Sequence, residues 1–165
     1  MAKEKTVKTN AVRIIETAKI DFEAINYDSD GFMEGTAIAD KLGQPYEQTF
    51  KTLVTKGKPG QFFVFVVPVA EELDLKKAAK SVGEKSVEML PVKDLLNTTG
   101  YVRGGCSPIG MKKPFPTVIH KSAENFDRIM FSSGRLGTQL KMNPQDLVTL
   151  TKGKFEDIIH TSKTQ

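Results

Sequence analysis

The stretch that decides the fold is FKTLVTKGKPGQFFVFVV, residues 50–67. Side chains over 48–55 alternate between two faces, which predicts a strand with Lys51 in its interior. Residues 57–60 contain two glycines and a proline and predict a turn. The run 62–67 is apolar throughout and rich in β-branched and aromatic residues, which is typical of a strand covered on both faces. Two consecutive strands joined by a turn are therefore expected here.

Shorter elements are predicted on both sides of these strands from capping residues, apolar periodicity and glycine or proline punctuation. Helices are predicted over 11–19 with Asn10 as the cap, over 36–42 with Thr36 as the cap, over 71–82, over 92–96, and from Pro144 to about Lys152 after a capping Asn143. Strands are predicted over 22–27, 86–89, 117–120, 128–131 and 139–142, with a glycine-rich hairpin region over 100–110. Because the spacing is not a regular β-α-β repeat, we expect a mixed α+β fold in one domain over 10–160, after a frayed polar segment over 1–9.

Composition places the chain among globular proteins and excludes several classes. Of its 165 residues, 39% are hydrophobic and 27% are charged, and no apolar run is long enough for a membrane span. The lysine-rich start lacks the apolar core of a signal peptide, and a single cysteine excludes an internal disulfide. We therefore expect a cytoplasmic protein. The net charge of +4 is compatible with a polyanionic partner without requiring one.

Familiar catalytic sets are missing from the sequence. The two histidines, His120 and His160, have no metal-ligand spacing to other donors, and neither a phosphate-binding loop nor a nucleophile elbow is present. We therefore expect neither a metal site nor a cofactor. Cys106 is either a nucleophile activated by His120 or a small buried residue in a glycine-rich turn. Because no pattern supplies a base with an orienting group, we favour the structural interpretation.

Three features are less easily explained by folding alone. Lys51 inside a strand is either a lysine that reaches solvent along an edge or a fixed cation in a pocket wall. The segment 104–110, GGCSPIG, is either an unliganded turn or a loop whose backbone N–H groups approach a ligand. Ser132 and Ser133, followed by Gly134, either line the same pocket or form a hairpin turn.

Together these residues resemble the YbaK/EbsC family, relatives of the editing domain inserted in bacterial prolyl-tRNA synthetases. The similarity is collinear from about Asn10 to Ile159. It rests on FKTL (50–53), VPVA (67–70), LDLKK (73–77), VEM (87–89), TGY (99–101), GGCSPIG (104–110), KK (112–113) and PTVI (116–119). The resemblance implies a mixed, partly barrel-like β-sheet surrounded by helices. It also implies an aminoacyl-tRNA deacylase that removes cysteine from tRNA(Pro), and cysteine from tRNA(Cys) as a further substrate.

The resemblance also assigns roles to residues of this chain. The essential lysine of the family falls on Lys51, and the family's glycine loop falls on Gly104 and Gly105, whose N–H groups we expect to donate to the carbonyl oxygen of the ester. Substrate-binding positions fall on Tyr27, Phe32, Thr52, Ser107, Pro108, Ser132 and Ser133. Lys112 and Lys113 either meet acceptor-stem phosphates or form an ordinary solvated charge pair. The implied partners are the acceptor end of an aminoacyl-tRNA and prolyl-tRNA synthetase.

Two departures from the family pattern concern specificity. Gln139 stands where the cysteine-specific relatives carry an aspartate, and Met33 and Glu34 alter the loop in which Phe32 is the expected aromatic residue. Two alternatives therefore stay open. The chain edits another small aminoacyl-tRNA, such as Ala-tRNA(Pro), or it is a non-catalytic module that binds tRNA or a synthetase.

Overall fold

The strand pair predicted from residues 50–67 is the centre of the larger of two β-sheets. A computed structural model describes residues 8–29 and 31–160. Within them the strands are β1 (Glu23–Asn26), β2 (Phe50–Lys56), β3 (Phe62–Pro68), β4 (Glu88–Met89), β5 (Thr117–His120), β6 (Ile129–Ser132), β7 (Thr138–Met142) and β8 (Lys154–Glu156). The larger sheet has the order β4-β2-β3-β5-β8, and β2 and β3 are antiparallel, with Lys51 opposite Val67.

The smaller sheet has the order β1-β7-β6 and is antiparallel throughout. It meets the larger sheet at an isolated parallel bridge between Thr49, just before β2, and Met130 in β6. The α+β prediction is confirmed, and the partly barrel-like sheet takes the form of two bridged sheets. Over residues 8–29 and 31–160 the strands do not close into a barrel.

Helices and two apolar cores cover these sheets. The α-helices are α1 (Asn10–Thr17), α2 (Gly35–Leu42), α3 (Leu75–Ser81), α4 (Leu95–Thr99) and α5 (Pro144–Thr151). One face of β3 packs through Val66 into a core shared with α1, β6, β7 and α5. The other face packs through Phe65 against α3. The continuous apolar run in β3 therefore reflects burial on both faces, as its sequence indicates.

Several predicted boundaries are corrected by the hydrogen bonds of the structure. Thr9, rather than Asn10, caps α1, because its Oγ1 accepts a bond from the Val12 N–H at 3.2 Å. The helix predicted over 71–82 begins at Leu75, because Asp74 is its cap. Glu34 occupies the cap position of α2 without a side-chain bond, so Thr36 is not the cap.

Other differences concern strands and the chain ends. The region 100–110 contains turns and no strand, so the predicted hairpin is wrong, and β8 was not predicted from sequence. Thr9 belongs to the fold, since its hydroxyl also donates to the Ser133 carbonyl at 2.6 Å. The prediction of a frayed start otherwise falls on residues 1–7, which lie outside the described residues. No helix among the described residues is long and apolar enough to cross a bilayer.

Candidate active site

A cavity of about 350 Å³ lies along the part of β2 that has no strand on one side. On that side, the strand pairings within the described residues are the bridge from Thr49, just before β2, to β6, and the pairing of Thr55 and Lys56 with β4. Within the described chain, the edge from Lys51 to Leu53 between these contacts is unpaired. The cavity occupies this gap. Its wall takes residues from both sheets, including Thr49, residues 50–54 of β2, Met89 of β4, Ser132 of β6 and Gln139 of β7.

The strand register directs the backbone of Thr52 into this gap. The Val69 N–H donates to the Thr49 carbonyl at 2.8 Å, and hydrogen-bonded pairs alternate along an antiparallel ladder. Thr52, three residues later, therefore points its N–H and C=O away from β3. The Leu90 N–H bonds to the carbonyl of Val54 at 3.0 Å, which has the same orientation. The Thr52 Oγ1 is also buried and has no hydrogen-bond partner among the described residues. One residue thus offers three polar groups to a ligand.

Lys51 contributes a half-buried cation to the same wall. Burial lowers the pKa of its ammonium group, and the negative charges of Glu34, Glu72 and Glu71 partly oppose that shift. No carboxylate of the described residues lies within 4 Å of its Nζ. A cation in this position is only partly solvated and has no close counter-ion, so it favours an anionic or strongly polarised ligand group.

The glycine loop reaches the cavity through Gly104. This residue has φ +84°, and a Cβ there would lie 2.9 Å from side-chain carbons of Leu136 and Phe32. Its N–H has no hydrogen-bond partner among the described residues. Behind the loop, the Tyr101 hydroxyl donates to the Ile109 carbonyl at 2.6 Å. Tyr101 therefore holds the loop closed, a role that its position in the TGY segment did not reveal.

Three other loop residues do not line the cavity. The Gly105 N–H donates to the Val102 carbonyl at 2.9 Å, so the expected role of this amide as a donor to substrate is corrected. Ser107 is fully buried, and its Oγ accepts a bond from the Ile109 N–H at 3.3 Å. Pro108 is buried beside it. In this structure Gly105, Ser107 and Pro108 shape the loop from within.

Of the predicted site residues near β1 and β6, one lines the cavity and two do not. Ser132 lines the cavity, and its Oγ accepts a bond from the Gly134 N–H at 3.2 Å. Ser133 is fully buried, and its Oγ, like the Tyr27 hydroxyl, has no hydrogen-bond partner among the described residues. Neither Ser133 nor Tyr27 is part of the cavity wall. Gln139 is part of it, opposite Ser132 in the β6–β7 register, so a neutral amide stands at this position.

The single cysteine also lines the cavity but is held in its neutral form. Cys106 is 7% exposed and packs in a small core with Val54, Leu90 and Tyr101. Burial raises the pKa of its thiol to about 12. His120 lies in β5 away from the cavity wall, and its Nδ1 accepts a bond from the Ile158 N–H at 3.3 Å. A thiolate nucleophile activated by His120 is therefore not assembled here.

The cavity wall also contains residues that sequence reasoning missed. Phe32 lies in the wall as expected, and the guanidinium carbon of Arg103 lies 4.0 Å from the centre of its ring. Arg103 and Glu34 line the cavity as well. Arg103 directly precedes the glycine loop, but nothing in the sequence indicates that it stacks on a residue 71 positions earlier.

The predicted tRNA-binding lysines lie outside the cavity. Both Lys112 and Lys113 are exposed, and the Lys112 Nζ donates to the Asn97 carbonyl at 3.2 Å. Residues 8–29 and 31–160 hold no group of three His, Cys, Asp or Glu side chains suited to a metal ion.

Comparisons with known proteins agree on one family. The family model described as the aminoacyl-tRNA editing domain matches residues 33–150. A protein of Enterococcus faecalis, named as a candidate Cys-tRNA(Pro)/Cys-tRNA(Cys) deacylase, EbsC, is 46% identical over 160 residues, 96% of this chain and 98% of the relative. A proline–tRNA ligase of Fervidobacterium nodosum is 32% identical over 54% of this chain and 16% of the ligase. A solved structure described as a candidate trans-editing enzyme for prolyl-tRNA synthetase has a TM-score of 0.79 at 22% identity, covering 94% of this chain and all of that one.

The state of Cys106 can be tested by alkylation. We expect iodoacetamide at pH 8 to modify the folded protein on the order of a thousandfold more slowly than the urea-unfolded chain, because a pKa near 12 leaves little thiolate. The loss of free thiol over time measures both rates, and the unfolded chain is the internal control. Comparable rates would show a reactive cysteine and reopen the nucleophile interpretation.

Proposed function

The chain belongs to the family of aminoacyl-tRNA editing domains, and on that premise we propose that it is a cytoplasmic deacylase acting on Cys-tRNA(Pro). Cys-tRNA(Cys) is a second proposed substrate. Support comes from the relative that is 46% identical over nearly the full length of both chains and is named for these two substrates. The observation that carries the proposal is the cavity at the open edge of β2, where Lys51, Thr52 and Gly104 meet.

The first proposed step is capture of the aminoacyl ester at this edge. The Lys51 ammonium anchors an oxygen of the ester or of the adjoining tRNA backbone, since the ammonium is half-buried and has no close carboxylate. The Thr52 carbonyl accepts a bond from the α-ammonium group of the amino acid, and its N–H and Oγ1 remain as donors. Ser132 and Gln139 border the amino-acid side chain with neutral groups.

The second proposed step uses the substrate's own thiol as nucleophile. The cysteinyl sulfur attacks its ester carbonyl carbon, a C–S bond forms and the bond to the ribose oxygen breaks. The thiol proton ends on that ribose oxygen, and a thiolactone leaves the tRNA. The attacking and attacked atoms belong to one molecule, so the enzyme mainly fixes their geometry. This explains how a site that has neither a nucleophilic side chain nor a general base beside it can be effective.

Stabilisation of developing charge is assigned to Gly104 and Lys51. Gly104 lines the cavity and its N–H has no hydrogen-bond partner among the described residues, which supports its proposed role as donor to the carbonyl oxygen as negative charge develops. The Gly105 amide is excluded from this role by its bond to Val102. We assign no direct contact with the substrate to Tyr27, Ser107, Pro108 and Ser133, since they lie outside the cavity wall.

Two alternatives keep specific support. Gln139 removes a charge that the resemblance places at this position, which favours a different small aminoacyl group such as alanine. The second alternative is a non-catalytic module that binds tRNA or a synthetase. This alternative assigns no role to the Lys51 ammonium or to the backbone groups of Thr52 and Gly104 at the cavity. We also propose prolyl-tRNA synthetase as a partner. The support is that a proline–tRNA ligase contains, over 16% of its length, a segment similar to 54% of this chain.

A deacylation panel tests both the reaction and the role of Lys51. We expect the protein to deacylate Cys-tRNA(Pro) faster than Ala-tRNA(Pro) or Pro-tRNA(Pro), and to spare tRNA carrying 2-aminobutyrate, which lacks the thiol. Lys51→Ala is expected to lower the single-turnover rate about 100-fold, because removing one electrostatic donor from a site of this kind typically costs 10²–10³ in rate. Lys51→Arg is expected to retain part of the rate.

Lys56→Ala is the matched control, since Lys56 lies on the same strand but outside the cavity wall. A wild-type rate for folded Lys51→Ala would remove Lys51 from the site. Equal rates with cysteine and 2-aminobutyrate would exclude attack by the substrate thiol. Failure to deacylate any member of the panel would favour the non-catalytic alternative.

The proposed contact of Lys112 and Lys113 with acceptor-stem phosphates has its own test. Each Lys→Gln substitution is expected to reduce the slope of log K against log salt for tRNA binding by about 0.7–0.9, the value for one phosphate contact. Lys154→Gln is the control, because Lys154 lies in β8 at the opposite edge of the larger sheet. Unchanged slopes for Lys112 and Lys113 would identify them as solvated surface charges.

A further inference from the structure

The mouth of the cavity is marked by the residues that line it and stay exposed. Phe32 is 44% exposed, Met89 is 43% exposed and Val92 is 59% exposed, and Arg103 is exposed beside them. Lys51, Thr52 and Gln139 lie deeper, since they are half-buried or buried. A ligand whose reacting group lies beside Lys51 therefore places its remaining portion against this exposed rim.

Two rim residues contact each other over the face of an aromatic ring. The Arg103 guanidinium carbon lies 4.0 Å from the centroid of the Phe32 ring, a cation–π contact. The ring itself rests on the glycine loop, because a Cβ on Gly104 would lie 2.9 Å from its Cδ1 atom. The loop that supplies the proposed carbonyl donor thus also supports the aromatic ring.

Among the described residues, Phe32 is the partner of the Arg103 guanidinium group, which makes no ion pair and no hydrogen bond with any of them. It therefore offers an exposed planar face together with unused N–H donors. A nucleotide supplies the complementary chemistry, because its base stacks on aromatic rings and guanidinium planes and its phosphate accepts N–H bonds.

We propose that Arg103, stacked on Phe32, is a positioning residue that binds the terminal adenosine of the aminoacyl-tRNA. This inference rests on the proposed deacylase function and assigns to that site a nucleobase platform. The base stacks against the Phe32–Arg103 pair while the acyl group reaches Lys51 and Thr52. Binding of the base then fixes the ester in the cavity, and no whole-tRNA contact is needed for this part of recognition.

Two small esters that differ only in the base test the proposal. They are the cysteinyl ester of adenosine and the cysteinyl ester of methyl riboside, which has the ribose without the base. The wild-type protein is expected to have a kcat/KM about 10- to 100-fold higher for the adenosine ester, as expected for stacking of one base. Arg103→Ala and Phe32→Ala are expected to bring this ratio close to one, and Arg103→Lys to give an intermediate ratio.

Val102→Ala is the matched control, because Val102 is the exposed neighbour of Arg103 but is outside the cavity wall. It is expected to keep the wild-type ratio. A wild-type ratio near one would overturn the platform and leave the deacylase function standing. Variants that lose rate equally on both esters, with the ratio unchanged, would also overturn it, since that pattern indicates damage to the loop.

A binding measurement separates failure of the platform from failure of the proposed function. If neither ester reacts, deacylation of intact Cys-tRNA(Pro) decides the proposed function, and titration with adenosine 5′-monophosphate or ribose 5-phosphate decides the platform. Shifts of the Phe32 ring and Arg103 Nε resonances with the first probe alone support base stacking. Equal shifts with both probes, or none with either, contradict it.

Discussion

The site depends on a change of hydrogen-bond partner along one edge of β2. This edge is held by β6 at Thr49 and by β4 from Thr55 onward, and between these contacts no strand of the described chain pairs with it. In a protein interior, unpaired backbone groups are costly, so they persist only where a ligand or solvent satisfies them. The cavity beside Thr52 is the place where both sheets stop short of covering that edge.

Electrostatics at this edge explain why the chain manages without a nucleophile of its own. Burial lowers the pKa of Lys51, and nearby carboxylates counter that effect without approaching within ion-pair distance. The cation therefore stays available to a ligand. Burial also disfavours the charged form of Cys106, whose pKa it raises to about 12, so the nucleophilic thiolate is absent at neutral pH. Both residues line one cavity, but only Lys51 presents a charged group that can bind substrate.

Local pattern predicted the strands other than β8, and it predicted α5, where Asn143 caps a helix that begins at Pro144. It failed where contacts between distant parts of the chain determine the local structure. The acidic run before Asp74 does not become helix, because Leu73 there pairs with Ile159. The resemblance located the glycine loop but could not tell which amide the loop uses internally, and the structure shows that it is Gly105. Arg103 was missed because stacking on Phe32 joins distant parts of the chain and leaves no local pattern.

The aminoacyl group is expected to bind at the unpaired edge of β2. A crystal structure with the non-hydrolysable amide analogue, 3′-cysteinylamido-3′-deoxyadenosine, measures this directly. We expect the cysteinyl group in the cavity, with the Lys51 Nζ or the backbone of Thr52 about 3 Å from its polar atoms. An analogue bound elsewhere, with the Lys51 ammonium turned to solvent, would contradict it.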